Sequence, residues 1–394
     1  MIRRNFVVLF IGIGLGILFM FSDYLWMIRK LFYRIEGVFK SPENVLPESK
    51  RPYFDIPKEW DTVTVETALN SRCTSDDDGN PYLFHWGMFD RTKQLSDEQI
   101  KKIVGLAKIP RFTGERIDIQ ITRNLLTFVV ENQIYGTRKD WLMIESGMQQ
   151  QAICLICASL GVGVVFSNMG KDGTIISDRD HRTIQIGLDP MKPTYTGSFW
   201  TSLPPRRIIE SSKKGTLPDP SRKGEKPLIS TLPHLGIGKQ GVQKTRAAQI
   251  SQLLWAARGR TPHYYKSRAW GMTIPTWGGE QNISSVYLVS NYEIHKYVNW
   301  DKNKPTHSLS FFNKGNTKGF DYMKDAYPNH DNFIILAITE DFARALWEVG
   351  YQMFNLLLQA DALDLSYKAS LSGEQERKAL EDLGIARAVA LLAT

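Results

Sequence analysis

Few residues of this 394-residue chain have both the type and the spacing that chemistry needs. Cys154-Leu-Ile-Cys157 has the gap of a dithiol pair or of half a metal site. It lies inside an apolar helical run, with no second pair and no histidine nearby, so core packing is its expected role. With Cys73 the cysteines number three, which makes no disulfide framework and gives no sign of an oxidising compartment. His85, His181, His234 and His263 show no metal-ligand spacing, and no metal is expected. Arg72 is a cation at the end of a short helical run, but Asp76, Asp77 and Asp78 follow it, a poor neighbourhood for a phosphate dianion. No glycine-rich dinucleotide fingerprint occurs.

The elements that would position such groups recur along the chain. Glu145 to Phe166 aligns without gaps on Glu348 to Ala369, with Glu145/Glu348, Gly147/Gly350, Gln149/Gln352, Leu155/Leu358 and Leu160/Leu363 identical. Few charges interrupt either segment, so both read as long helices buried on most of their circumference. An apolar, β-branched run precedes each, Leu125–Val130 and Phe333–Ile338, and reads as a buried strand. Upstream, Pro110–Glu115 echoes Pro275–Glu280, and Ile100–Ala107 matches Ile250–Ala257. Downstream, Ile186-Gly187 and Leu383-Gly384 each follow the helix. The recurrence of these segments in the same order predicts a duplicated unit. The expected organisation is a first unit over 60–203, a solvated linker over 204–246 with ten Lys/Arg against three acidic residues, and a second unit over 247–394.

Ahead of these units, Asn5 to Ser22 is an uncharged apolar run of 18 residues, about the minimum that spans a bilayer. Tyr24 and Trp26 supply interfacial aromatics, and the following Ile28–Phe39 stretch could lie along a lipid surface. Residues 1–45 are therefore expected to anchor the chain to membrane lipid, with the soluble part on the cytoplasmic side. Half of the net charge of +8 falls in the first 40 residues, where basic side chains meet lipid headgroups. No basic-aromatic module stands out, so nucleic acid is not an expected partner.

Gln249 to Val289, with ISQLLWAARG followed by TIPTWGGEQNISSVYLV, resembles the nitroreductase superfamily, and within it the azoline-oxidising dehydrogenases of peptide natural-product pathways. Tyr135–Arg138, running into Glu145-Ser-Gly147 and Gln149–Gln151, resembles the entry to that family's central helix. The resemblance implies an α+β fold, a mostly antiparallel sheet wrapped by helices. It also implies FMN held in clefts of an intertwined dimer, which two fused copies would form within one chain, and NAD(P)H as a transient donor.

On that resemblance Thr276, Gly278 and Gly279 stand where the family's loop faces the flavin, and Gln281 and Asn282 could donate hydrogen bonds to it. The glycines would let main chain approach the ring where a Cβ would collide; an ordinary turn before the Ser284–Val289 strand is the alternative. Arg72 stands near the family's phosphate-binding arginines, and in the second copy only Lys239, Lys244 and Arg246 are available. Lys139 falls near the family's catalytic pair, whose tyrosine is replaced here. Two functions remain open: a membrane-anchored FMN oxidoreductase, or a flavin-free structural or assembly subunit serving other subunits of a membrane complex.

Overall fold

The computed structural model describes residues 47–394 apart from 73, 76–86, 91, 115–116, 132–136, 168–175, 178–180, 194–216, 242–243, 262–263, 266–267, 270, 277–282, 302–303 and 340–342. The anchor expected over 1–45 lies outside the described residues, and no described helix is long and apolar enough to cross a membrane. The chain divides into Met1–Arg51 and Pro52–Thr394, and the latter carries both sheets.

Helix α1 (Val65–Ser71) starts where the Thr64 hydroxyl accepts from Thr67 N–H. After β1 (Thr74–Ser75) and β2 (Gly87–Phe89) comes α2 (Asp97–Leu106), opened by a reciprocal Ser96/Gln99 capping pair. Strands β3 (Asp118–Thr122) and β4 (Leu125–Glu131) form a hairpin that leads into the long helix α3 (Thr137–Leu160). Strands β5 (Val162–Ser167), β6 (Ile176–Ser177) and β7 (His181–Pro193) complete the first half.

The second half runs α4 (Leu228–Thr231), β8 (Gly238–Lys239), α5 (Ala247–Arg258) and a ribbon of β9 (Tyr264–Tyr265) with β10 (Arg268–Ala269). Then follow β11 (Ser284–Ser290), β12 (Glu293–Asp301), β13 (Lys304–Lys314), α6 (Thr317–Ala326) and β14 (Asn332–Ile338). The long helix α7 (Ala343–Ala362), β15 (Tyr367–Leu371), α8 (Glu374–Asp382) and β16 (Ala388–Ala393) close the chain.

Each half contributes one seven-stranded sheet. The first has the order β1-β5-β7-β4-β3, with β2 and β6 also paired to β7; the second has the order β13-β12-β11-β14-β16-β15-β8. The path β5-β7-β4-β3 and the path β15-β16-β14-β11 match in order, in direction and in their place around the long helix. Where β3 turns directly into β4, the second half inserts β12, β13 and α6. The fold is mixed α+β with largely antiparallel sheets.

Two expectations need correction. Ile186-Gly187 lies inside β7, whereas Leu383-Gly384 ends α8, so the two dipeptides are not equivalent. Gly384 has a positive φ of 82° and stops a helix with no counterpart among the described residues of the first half; the counterpart of β7 is β16. The segment expected to be a solvated linker is, from Leu217 onward, part of the fold. Val65 N–H donates to Lys226 O, Leu228 N–H to Val63 O and Leu217 N–H to His307 O, while β8 adds an edge to the second sheet. The basic composition hid buried Leu228 and Leu232, which anchor this stretch in the core.

The two halves meet where α3 crosses α7. A Cβ on Gly147 would overlap the carbonyl oxygen of Trp347, and a Cβ on Gly350 would overlap that of Ile144 and lie 2.8 Å from Gly147 Cα. Gly147 aligns with Gly350, and Ile144 with Trp347, so the contact is reciprocal, as in an isologous interface. Around it Tyr351 Oη donates to Gln150 Oε1 at 2.6 Å and Gln151 Nε2 to Asn355 Oδ1 at 2.9 Å.

Gly350→Ala places a methyl against main chain that cannot give way, so stability should fall by about 1–3 kcal/mol, the usual cost of overpacking. Gly105, on α2, has no neighbour within 4 Å of such a methyl, and Gly105→Ala should raise stability by about 0.5–1 kcal/mol through helix propensity. Denaturant unfolding followed by circular dichroism measures both.

Candidate functional site

The aligned glutamates of the two long helices are both fully buried and differently partnered. Glu145 accepts from the main-chain N–H groups of Phe112 and Thr113 and, at 2.7 Å, from the Thr113 hydroxyl, with Arg111 at 3.6 Å. It thereby holds the loop between α2 and β3. Glu348 instead pairs with Arg258 at 2.9 Å and accepts from Ser284 Oγ at 2.9 Å, and Gln352 Nε2 donates to the same hydroxyl. A buried carboxylate needs such partners, since leaving it alone costs several kcal/mol, of the order of 3–5. The sequence marked both glutamates as repeat identities, without their partners.

A second cluster forms the base of the loop that follows α5. The carbonyl of Thr273 accepts from Arg72 Nε at 3.1 Å, Gln151 Nε2 at 3.0 Å and Asn355 Nδ2 at 3.3 Å. Arg72 Nη2 also donates to Met272 O at 2.6 Å, and the Thr273 hydroxyl to Trp255 O. These donors come from the end of α1, from α3 and from α7, so both halves fix the entry to Pro275-Thr276.

Of the residues picked from sequence, Arg72 and Thr276 are thus brought to one loop. Thr276 is half-buried at its described end, and Gly278, Gly279, Gln281 and Asn282 lie outside the described residues. Lys139 sits in the first turn of α3, also half-buried, and Tyr135 is outside the described residues. Cys154 and Cys157 are buried in α3, where burial pushes the Cys154 thiol up to about 12 and raises that of Cys157, which makes both poor nucleophiles.

FMN would need a cation for its phosphate and a close main-chain approach for its ring. Arg72 is buried and turns two of its N–H groups onto main-chain carbonyls rather than toward a ligand. Lys239 binds Asp361 at 2.8 Å and Asp364 at 3.4 Å. These cations do not fit a flavin phosphate. The residues that would approach the ring, Gly278 and Gly279, lie outside the described residues, beyond the pinned loop base.

Sequence reasoning missed a polar relay that joins α5 to β12 and β13. Ser251 Oγ lies 2.7 Å from His307 Nε2, and Tyr297 Oη lies 2.7 Å from His307 Nδ1, all three buried. Ser251 donates its one proton to Pro218 O. Nε2 therefore carries the hydrogen that reaches Ser251, and Tyr297 donates to Nδ1. In this tautomer the imidazole cannot act as base toward the serine, so the relay is a clamp holding the 217–221 segment. Burial, and then the Arg222 charge, lower the His307 pKa to about 4.

No family model matches the chain, and no curated protein does. Solved structures do, and they are nitroreductase-like proteins. One from Ralstonia eutropha JMP134 is 18% identical, covering 48% of this chain and 93% of its own, with a TM-score of 0.34. One from Anabaena variabilis ATCC 29413 is 11% identical over 68% of each chain, with a TM-score of 0.43. One from Thermotoga maritima MSB8 is 11% identical, covering 84% of this chain and 94% of its own, with a TM-score of 0.38. At these scores the likenesses are distant.

The His307 value lies below the ordinary 6.5, so the fold prefers the neutral ring. Its contribution is complete above about pH 6.5 and is lost as pH falls toward 4, on the order of 3 kcal/mol in all. Unfolding free energy measured across that window should fall with acid in the wild type, with a visibly shallower slope in His307→Gln.

Proposed function

We propose that the chain is an oxidoreductase of nitroreductase type, tethered to a membrane by Asn5–Ser22 and built as a duplicated pseudo-dimer with one flavin cleft. The duplication reading is supported by the matching strand orders and by the reciprocal Gly147/Gly350 crossing. The observation that carries the cleft is the loop base at Thr273, where Arg72 and Gln151 of the first half meet Asn355 of the second. Three donors on one carbonyl hold main chain rigid next to Thr276, as a loop that must approach a flat ring requires. In this reading Gly278 and Gly279 make that approach, Gln281 and Asn282 bond the ring, and NAD(P)H is the transient donor. Lys139 is the weak candidate for proton transfer.

The occupied cations favour a second reading. With Arg72 on main chain and Lys239 on two carboxylates, the same scaffold could serve flavin-free as an assembly subunit of a membrane complex.

Flavin content after incubation with FMN separates the two. The wild type should bind one FMN per chain, with absorption near about 450 nm, the chromophore's own band. Gly279→Val should lose it through steric overlap with the ring while circular dichroism is unchanged. Absence of flavin from both proteins would refute the enzyme reading and leave the scaffold.

A further inference from the structure

Among the described residues six large apolar side chains are exposed, and three of them fall at one corner of the second sheet. Tyr292, 57% exposed, lies in the turn between β11 and β12. Phe311 (57%) and Phe312 (44%) lie near the end of β13, the strand that closes the sheet order. Glu293 pairs with Lys314 across the ladder, which brings the turn to that end of β13. The corner belongs to the β12, β13 and α6 insertion, for which the described residues of the first half have no counterpart.

The two phenylalanines serve opposite faces of the strand. Phe311 packs against His295, whose cross-strand partner Leu288 belongs to the inner core. Phe312 packs against Tyr287 of the outer core, with 5.1 Å between ring centres. Residues 305–313 carry no Asp, Glu, Lys or Arg to guard the edge against strand addition. A further strand is obstructed all the same, because Leu217 N–H already donates to His307 O and a bulge at Phe312 breaks the ladder. A flat protein surface would meet one ring and miss the other. A bilayer interface is fluid and takes both, and aromatic side chains settle at its headgroup level. Lys314 and Lys318 are exposed beside the rings, and Lys296 stands 5.8 Å from the centre of Tyr287. Glu293 and Asp321 oppose these three, so the corner is basic on balance and suits anionic headgroups.

We propose that this corner dips into an anionic lipid surface, with Tyr292, Phe311 and Phe312 at headgroup depth and the lysines against lipid charge. The contact rests on the membrane tether proposed above. As a flexible coil the 29 residues 23–51 would hold the body within about 30 Å of a bilayer. At that range a contact too weak to bind from solution becomes populated. The corner shares no residue with the loop base at Thr273 and stands whether or not flavin binds there.

Hydrogen–deuterium exchange of the full chain, reconstituted with phosphatidylcholine vesicles containing phosphatidylserine, tests it. Peptides covering 290–297 and 309–315 should exchange more slowly with vesicles than in detergent. The slowing should vanish in Phe311→Ser/Phe312→Ser, at exposed positions that tolerate the change, with the rest of the exchange map unaltered. Lys314→Glu should weaken it, and Ile121→Ser, exposed on β3 of the other sheet, should leave it intact. Flotation of the same samples after a high-salt wash reads the tether separately. A chain that floats without slowing at the corner overturns the proposal and leaves the tether standing. A chain that neither floats nor slows overturns both. Slowing in detergent alone that grows with protein concentration marks a second copy of the chain on the corner and overturns the lipid contact.

Discussion

Where α3 crosses α7, main chain lies directly on main chain, because Gly147 and Gly350 present no side chain to keep the helices apart. The other features of the interior depend on that approach. It brings Gln150 to Tyr351 and Gln151 to Asn355, and it sets the distance over which Arg72 and Asn355 can reach the same carbonyl. A methyl at either glycine would separate the helices, and the donors and acceptors that meet across the crossing at 2.6 and 2.9 Å would part with it.

The interior is polar for its depth. Both long helices carry glutamates and glutamines that are buried, and these pay their desolvation through partners on loops, on neighbouring elements and on the facing long helix. Glu145 holds the loop after α2, Arg258 and Glu348 join α5 to α7, and the Gln151/Asn355 pair holds Thr273. The aligned carboxylates of the two halves thus have different partners.

Much of the fold was legible in the sequence. The apolar character of Glu145–Phe166 and Glu348–Ala369 announced two buried helices, which end at Leu160 and Ala362, so that the last residues of each stretch belong to β5 and β15 instead; Leu125–Val130 and Phe333–Ile338 announced the strands ahead of them. The identity of Gly147 with Gly350 marked what became the contact point. Periodicity reports that a face is buried but not what buries it, so the site was harder to read. Arg72 looked like a phosphate ligand, yet its partners are carbonyls some 200 residues away. The stretch after Leu217 looked like linker, since its lysines and prolines outnumber the few leucines that fix it. His307 follows the ordinary alternation of a strand, and nothing local foretold Ser251 and Tyr297 on either side of its ring.

The central claim is that one helix crossing makes the two halves, with their matching strand orders, a single cooperative body. Native-state hydrogen exchange under increasing denaturant measures this most directly, because it resolves the opening free energy of each helix separately. Amides across 143–158 and 346–361 should converge on one common opening as denaturant rises. If the first-half helix instead exchanged through its own opening of lower free energy, while the second-half helix kept its protection, the halves would be independent domains and the account would be contradicted.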